Sequence, residues 1–186
     1  MRLLLVLAVL LGLAAPGRAA TLAGATLPDT YPFEGQTLVL NGMGLRTLTI
    51  LNIRAYVAGL YLPQRSGNAA QILASRAPRV LVLQFLHSAS KAQVEGQYRA
   101  GEQKNCGNGG CDPADLRDFE ALIAASPAVN VGDTTTYWFT EGRVRVFANT
   151  RQIADFHNAD LAFHLLEGFI GARPPSEDLK RALLGN

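Results

Sequence analysis

Residues 42–62 read GMGLRTLTILNIRAYVAGLYL, and this stretch decides the architecture because it sets an arginine on the apolar side of a strand-forming sequence. Taken with a period of two, Arg46 shares a face with Leu48 and Ile50, while Thr47 and Thr49 take the other. The second half alternates too: Arg54, Tyr56, Ala58, Leu60 and Leu62 face one way, Ile53, Ala55, Val57, Gly59 and Tyr61 the other. Both of its faces are mostly apolar, so this is a central strand. A short turn centred near Leu51 sets Tyr56 across from Arg46, where the two polar tips can meet one anion inside an otherwise apolar sheet. A one-residue change of register separates them. A guanidinium is rarely fully buried unless it is paired, since desolvation costs several kcal/mol without a compensating anion or acceptors. The alternative is an arginine at a strand end, reaching to water or salt-bridged to a side chain.

Around this hairpin the strand-like segments are Thr37 to Asn41, Thr47 to Leu51, Ile53 to Leu62 and Val80 to His87, then Thr134 to Thr140, Arg143 to Ala148 and Gln152 to Phe156. Helix-like segments are Ala69 to Ala77, Lys91 to about Gln103, Pro113 to Ala125, Ala159 to Ile170 and Glu177 to Leu184. Asp112-Pro113 offers an N-cap and a proline at N1. Ser176 precedes Glu177 and Asp178, with Lys180 and Arg181 toward the other end, as the helix dipole favours. Strands cluster into hairpins separated by helical blocks, which predicts an α+β fold: an antiparallel sheet with helices packed on one face. A Rossmann-type sheet is disfavoured, and GNGG lies between two cysteines rather than between a strand and a helix, so it is no phosphate loop.

The N-terminus has the form of an export signal. Met1 and Arg2 precede an apolar run from Leu3 to Ala15, then Pro16, Gly17 and small residues. The run is too short to span a bilayer, and cleavage after Ala19 leaves one domain, residues 20–186, with no transmembrane segment and a periplasmic or secreted location. Removing residues 1–19 takes Arg2 and Arg18 from the 17 Lys and Arg, which brings the basic count level with the 15 Asp and Glu. No basic run remains to suggest nucleic acid. Cys106 and Cys111 in KNCGNGGCD suit a small-loop disulfide in an oxidising compartment. Zinc and a redox pair are the alternatives, but His87, His157 and His164 stand at no ligand spacing, and redox motifs more usually have two intervening residues.

The combination of LVLNGMGLRT, RAYVAGLYLP, GDTTTYWFTEGRVRVFANT and ADLAFHLLEGFIGARPPSEDLKRALLG resembles the bacterial branch of the chalcone isomerase-like proteins, from about residue 24 to 185. The resemblance implies an open-faced β-sandwich, a long antiparallel sheet covered by helices with a ligand cleft between. It also implies two precedents, because plant chalcone isomerases are enzymes whereas relatives are non-catalytic fatty-acid binders. The shared arginine carries over to Arg46. In the enzymes it stabilises developing negative charge; in the binders it holds a carboxylate. The binders' tyrosine carries over to Tyr56, where the enzymes have threonine. The enzymes' helical tyrosine, asparagine and C-terminal threonine fall near Gln93, Ala100 and Gly168, none of which keeps the catalytic polar group. Chalcone cyclisation is therefore not expected, and Gly168 enlarges the cleft instead.

Tyr98, five residues after Gln93, either points a hydroxyl into the cleft or covers the core with its tip in water. His164 pairs with Glu167 along a helix face rather than serving as a base, and His87 and His157 belong to surface or loop. The candidate ligand-binding set is Arg46, Tyr56, Gln93, Tyr98 and Gly168, with no catalytic residue, metal or cofactor assigned. The expected function is an exported binding protein for a small amphipathic, fatty-acid-like anion. The alternatives are an isomerase or lyase using Arg46, and an envelope structural or assembly factor. No protein partner is indicated.

Overall fold

The computed structural model describes residues 18–48, 51–107 and 109–186. Among these the strands are β1 (Ala19–Leu22), β2 (Ala25–Pro28), β3 (Thr30–Phe33), β4 (Gln36–Leu48), β5 (Ile53–Leu62), β6 (Arg79–Phe85), β7 (Thr134–Thr140), β8 (Arg143–Ala148) and β9 (Arg151–Phe156). The helices are α1 (Ala69–Ala74), α2 (Lys91–Cys106), α3 (Pro113–Ala125), α4 (Ala159–Ile170) and α5 (Glu177–Leu183). Strands β3 to β9 form one seven-stranded sheet in sequence order, antiparallel at every pairing. The expected α+β architecture is the observed one. Residues 1–17, which carry most of the export-signal reading, and Thr49 and Ile50 lie outside the described residues.

Several boundaries differ from the sequence reading. The segment Thr37 to Asn41 and the first two residues of the next, Thr47 and Leu48, belong to one strand, β4, which passes through Gly42 to Gly44 with register shifts between Leu40 and Gly42 and between Arg46 and Thr47; Leu51 lies in the turn. Glycines weaken a strand's sequence signal, yet here they continue it for a packing reason given below. Helix α1 ends at Ala74 instead of Ala77, since the residue before Pro78 is steered away from helical backbone. Helix α2 extends beyond Gln103 to Cys106. Strand β6 covers Arg79–Phe85, so His87 lies in the loop beyond it. Three short N-terminal strands, β1 to β3, were absent from the sequence reading because four residues hold too little alternation to detect.

Inward-facing Leu60, Leu81, Phe139 and Val146 meet Leu122, Leu166 and Ile170 of the helices in the main core. On the other face Phe33, Val57, Tyr61 and Val80 pack with Ala25 and Leu27 of the β1–β2 ribbon, and the Tyr61 hydroxyl donates to Pro28 O at 2.9 Å. Helix α5 lies directly on β4. A Cβ built on Gly42 would stand 2.0 Å from Ala182 O, and one on Gly44 would stand 2.9 Å from both Ala182 Cβ and Leu179 Cδ1. The backbones can approach this closely only because both positions lack a side chain. Buried Asn41 fixes the helix's far end, its amide donating to Leu183 O (2.8 Å) and Ser66 O (3.0 Å) while its oxygen accepts from Ser66 N–H (2.8 Å).

Gly42→Ala should therefore lift α5 from the sheet and cost about 1–3 kcal/mol, lowering Tm by about 2–4 °C per kcal/mol lost. Gly96, inside α2 with nothing within 4 Å of an added Cβ, is the contrasting case. Gly96→Ala should stabilise by about 0.5–1 kcal/mol. Thermal melts of both variants check the pair of signs.

Candidate functional site

Residues 42, 44 and 46 point to the same side of β4. The first two lie beneath α5; the third lies beyond its N-terminus and opens on a cavity of about 650 Å³ between sheet and helices. That volume suits a drug-sized or lipid-sized molecule. The cavity exists because α2 packs against α3 and α4 rather than against the sheet, leaving its inner side unfilled. Leu48, Ile53, Leu83, Phe85 and Phe119 give the wall its apolar character. Arg46, Tyr56, Gln93, Tyr98 and Gly168, the five residues singled out in the sequence, all line it.

The register aligns Arg46 with Tyr56, and Tyr56 with Phe85 on β6. Arg46 is half-buried, and its Nη1 donates to Thr47 O at 3.1 Å. Among the described residues no carboxylate lies within ion-pair distance of it. The described lining contains two more cations, Lys104 and Arg173, and neither Asp nor Glu. Lys104 Nζ donates to Pro174 O (2.6 Å) and Arg173 Nη1 to Lys104 O (2.7 Å), which ties the end of α2 to the chain leading into α5.

The tyrosines supply donors, not anions. Tyr56 keeps some accessible surface along the cavity wall, but surrounding protein excludes bulk water, and this desolvation raises its pKa against the opposing pull of Arg46. Tyr98 and Tyr137 share a hydroxyl–hydroxyl bond of 2.5 Å, so the Tyr98 tip meets a second phenol instead of water. Burial raises both pKa values as well, with that bond pulling Tyr98 partly back. Tyr137 was missed in the sequence, although the alternation Thr135, Tyr137, Phe139 within TTTYWFT puts it on the inner face.

The other candidates divide differently. Gln93 reaches the cavity, but its Oε1 accepts from Ser90 N–H at 2.8 Å in the α2 capping box, so its amide oxygen is structural. Gly168 leaves room, an added Cβ there meeting only Asn105 Nδ2 at 3.8 Å. His164 Nδ1 lies 3.2 Å from Glu167 Oε2 and its ring also lines the cavity. His87 is exposed at the cavity rim. Asn158 caps α4, its side-chain oxygen accepting from Leu161 N–H at 3.0 Å. Cys106 and Cys111 are joined in a disulfide, Cα–Cα 4.8 Å, that links the end of α2 to the approach to α3. Carboxylates of Asp112, Asp115 and Asp160 come together away from the cavity. Asp115 is already engaged there, capping α3 and accepting from Asn158 Nδ2 at 2.9 Å.

The sequence matches the chalcone isomerase-like family over residues 19–185. The chain belongs to that family. Its fold is similar to the crystal structure of an Arabidopsis thaliana fatty-acid binding protein, with a TM-score of 0.73 at 15% identity, covering 90% of this chain and 96% of that one. No curated protein matches the chain in sequence. Among the described residues, no helix of this chalcone isomerase-like protein is long and apolar enough to cross a membrane.

Burial raises the pKa values of Tyr56, Tyr61, Tyr98 and Tyr137 in this fold. The unfolded chain releases these protons near pH ~10 while the folded chain retains them, so unfolding releases protons above that pH. The stability from keeping these phenols neutral is intact below pH ~10 and is lost as pH rises beyond it. Denaturant midpoints should fall above pH ~10, and the phenolate absorbance of the four should appear with loss of near-UV circular dichroism, not before it.

Proposed function

We propose that this protein is an exported, non-catalytic carrier that holds a fatty-acid-like anion, its carboxylate between Arg46 and Tyr56 and its tail along the apolar wall. The observation that carries this reading is the charge balance of the cavity: Arg46, Lys104 and Arg173 line it and no described carboxylate does. An unpaired guanidinium in a low-dielectric wall favours an anion, and the neutral Tyr56 hydroxyl supplies a donor beside it. A charge-assisted bond contributes about 1.5–3 kcal/mol net, and tail burial adds about 0.8 kcal/mol per methylene. The fatty-acid binding function named for the Arabidopsis protein of similar fold supports the same reading. Export rests on the N-terminal sequence and agrees with the disulfide.

Arg46→Met keeps much of the stem volume and removes the charge. It should weaken carboxylate binding by about 10- to 100-fold, with Tyr56→Phe costing less. A methyl ester of the same tail should bind wild type more weakly than the acid yet match it on Arg46→Met; calorimetric titration separates these cases. Undiminished acid binding by a less stable Arg46→Met would make the arginine a sheet lock and favour a structural role.

Catalysis has a separate check. With Gln93, Ala100 and Gly168 at the positions matching the enzymes' polar groups, those groups do not serve to position an attacking phenolate. Added chalcone should cyclise no faster than in buffer. A saturable, stereoselective rate that disappears in Arg46→Ala would replace the carrier by an isomerase.

A further inference from the structure

The two ends of the sheet differ in a way that cavity binding alone does not require. At one end the hairpin apices are polar: Glu34-Gly35 joins β3 to β4, and Glu141-Gly142 joins β7 to β8. Charges there are matched, Arg145 with Glu34, Arg143 with Asp155 and Arg76 with Glu141. At the other end two apices carry aliphatic side chains. Leu51, between β4 and β5, is 75% exposed, and Val131, in the turn before β7, is 65% exposed.

Turn apices are ordinarily polar because they cannot bury a side chain. The Val131 turn is well made, with Asn130 N–H donating to Asp133 Oδ2 (2.8 Å), Asp133 N–H donating to Asn130 O (3.1 Å) and Gly132 at φ 91°. The valine is therefore held out in water rather than displaced from a core.

Hydrogen bonds join these apices into one rim. Leu86 N–H donates to Ala55 O (2.9 Å), Gly132 N–H to Phe85 O (2.8 Å), and Val131 N–H to Ser88 Oγ (3.3 Å). The two turns thus flank β6 at the same end, roughly two strand spacings, about 10 Å, apart. His87 and Ser88, which lie between them, are exposed and line the cavity. The cavity lining thus reaches the surface at this rim.

The charge of this rim is also distinct. Arg54, beside the Leu51 turn, and Arg151, which starts β9 after the Asn149-Thr150 turn, are exposed and have no carboxylate partner among the described residues. Lys91 is paired with Glu95 at 3.5 Å and adds no net charge. Asp133 keeps its negative charge while accepting from Asn130 and from Asn149 Nδ2 (3.0 Å), so the two arginines outnumber it and leave the rim modestly positive. Projecting aliphatic tips beside two exposed arginines complement an anionic lipid surface, whose interior takes the tips and whose headgroups take the charges.

We propose that this rim docks the cavity mouth onto an anionic bilayer, from which the ligand enters without crossing water. The need for such a surface rests on the reading of the cavity as a lipid-anion site. Its test does not, because docking is measured on ligand-free protein.

Mature protein is co-sedimented with vesicles of phosphatidylcholine alone and of phosphatidylcholine with an equal part of phosphatidylglycerol. Wild type should partition onto the anionic vesicles and leave the neutral ones. Leu51→Asp with Val131→Asp, at exposed positions outside the cavity lining, should abolish partition with Tm and calorimetric acid binding unchanged. Arg54→Ser with Arg151→Ser should weaken it about 30-fold, at about fivefold per basic residue. No partition by wild type, equal partition onto both vesicle types, or undiminished partition of the double aspartate variant overturns the docking surface. Loss of acid binding with docking intact would instead overturn the carrier reading.

Discussion

The approach of the α5 backbone to Gly42 and Gly44 is the constraint on which the rest depends. It fixes where the helical layer touches the sheet and therefore where it does not. Because α5 covers β4 only as far as Gly44, the next inward residue, Arg46, is left without a helix above it. The two glycines and the arginine have one physical explanation: the glycines admit a helix, and the arginine lies where the helix has ended. Asn41, bonded to both Leu183 and Ser66, holds that boundary from the far side.

The cavity follows from a second packing choice. Helices α3 and α4 contribute their apolar residues to the main core, whereas α2 is polar and largely exposed. Most of its packing is against its helical neighbours. A layer in which one helix stands away from the sheet must leave a void or admit a guest, and an apolar void of this size forfeits dispersion contacts along its whole wall. The tyrosines make the empty state tolerable at its polar positions, since Tyr98 and Tyr137 bond to each other and Tyr56 remains neutral. Among the described residues Arg46 has no such internal solution beyond a single backbone carbonyl.

Much of this was legible in the sequence for identifiable reasons. The alternation in IRAYVAGLYL and a short turn near Leu51 anticipate Tyr56 across from Arg46, but the alignment also depends on the register shift between Arg46 and Thr47: the pairs nearest the turn, Thr47 with Arg54 and Leu48 with Ile53, continued without it would set Arg46 against Ala55. The cysteine spacing, the Ser176 start of α5 and the His164–Glu167 pair are local features, and local features survive translation into structure. What stayed hidden is non-local. The Tyr98–Tyr137 bond spans 39 residues and joins a helix to a strand, which no periodicity encodes. Gln93 lines the cavity as its match to a ligand-facing position implies, and its amide oxygen also closes a capping box with Ser90, three residues away, a second task that the match does not reveal. The β1–β2 ribbon escaped notice because its stabilisation comes from Tyr61 and the outer core, not from its own short pattern.

Helix α2 forms one wall of the cavity, and its mechanics can be derived from its supports. The capping box secures its first turn, while the disulfide and the Lys104 and Arg173 bonds secure its last. Between them lie Gly96 and Gly101, neither of which has a neighbour within 4 Å of an added Cβ. A beam clamped at both ends and thinned in the middle bows rather than swings. Guests of different girth would then be accommodated by graded bending of one wall, so selectivity would discriminate weakly among tails and strongly among head groups.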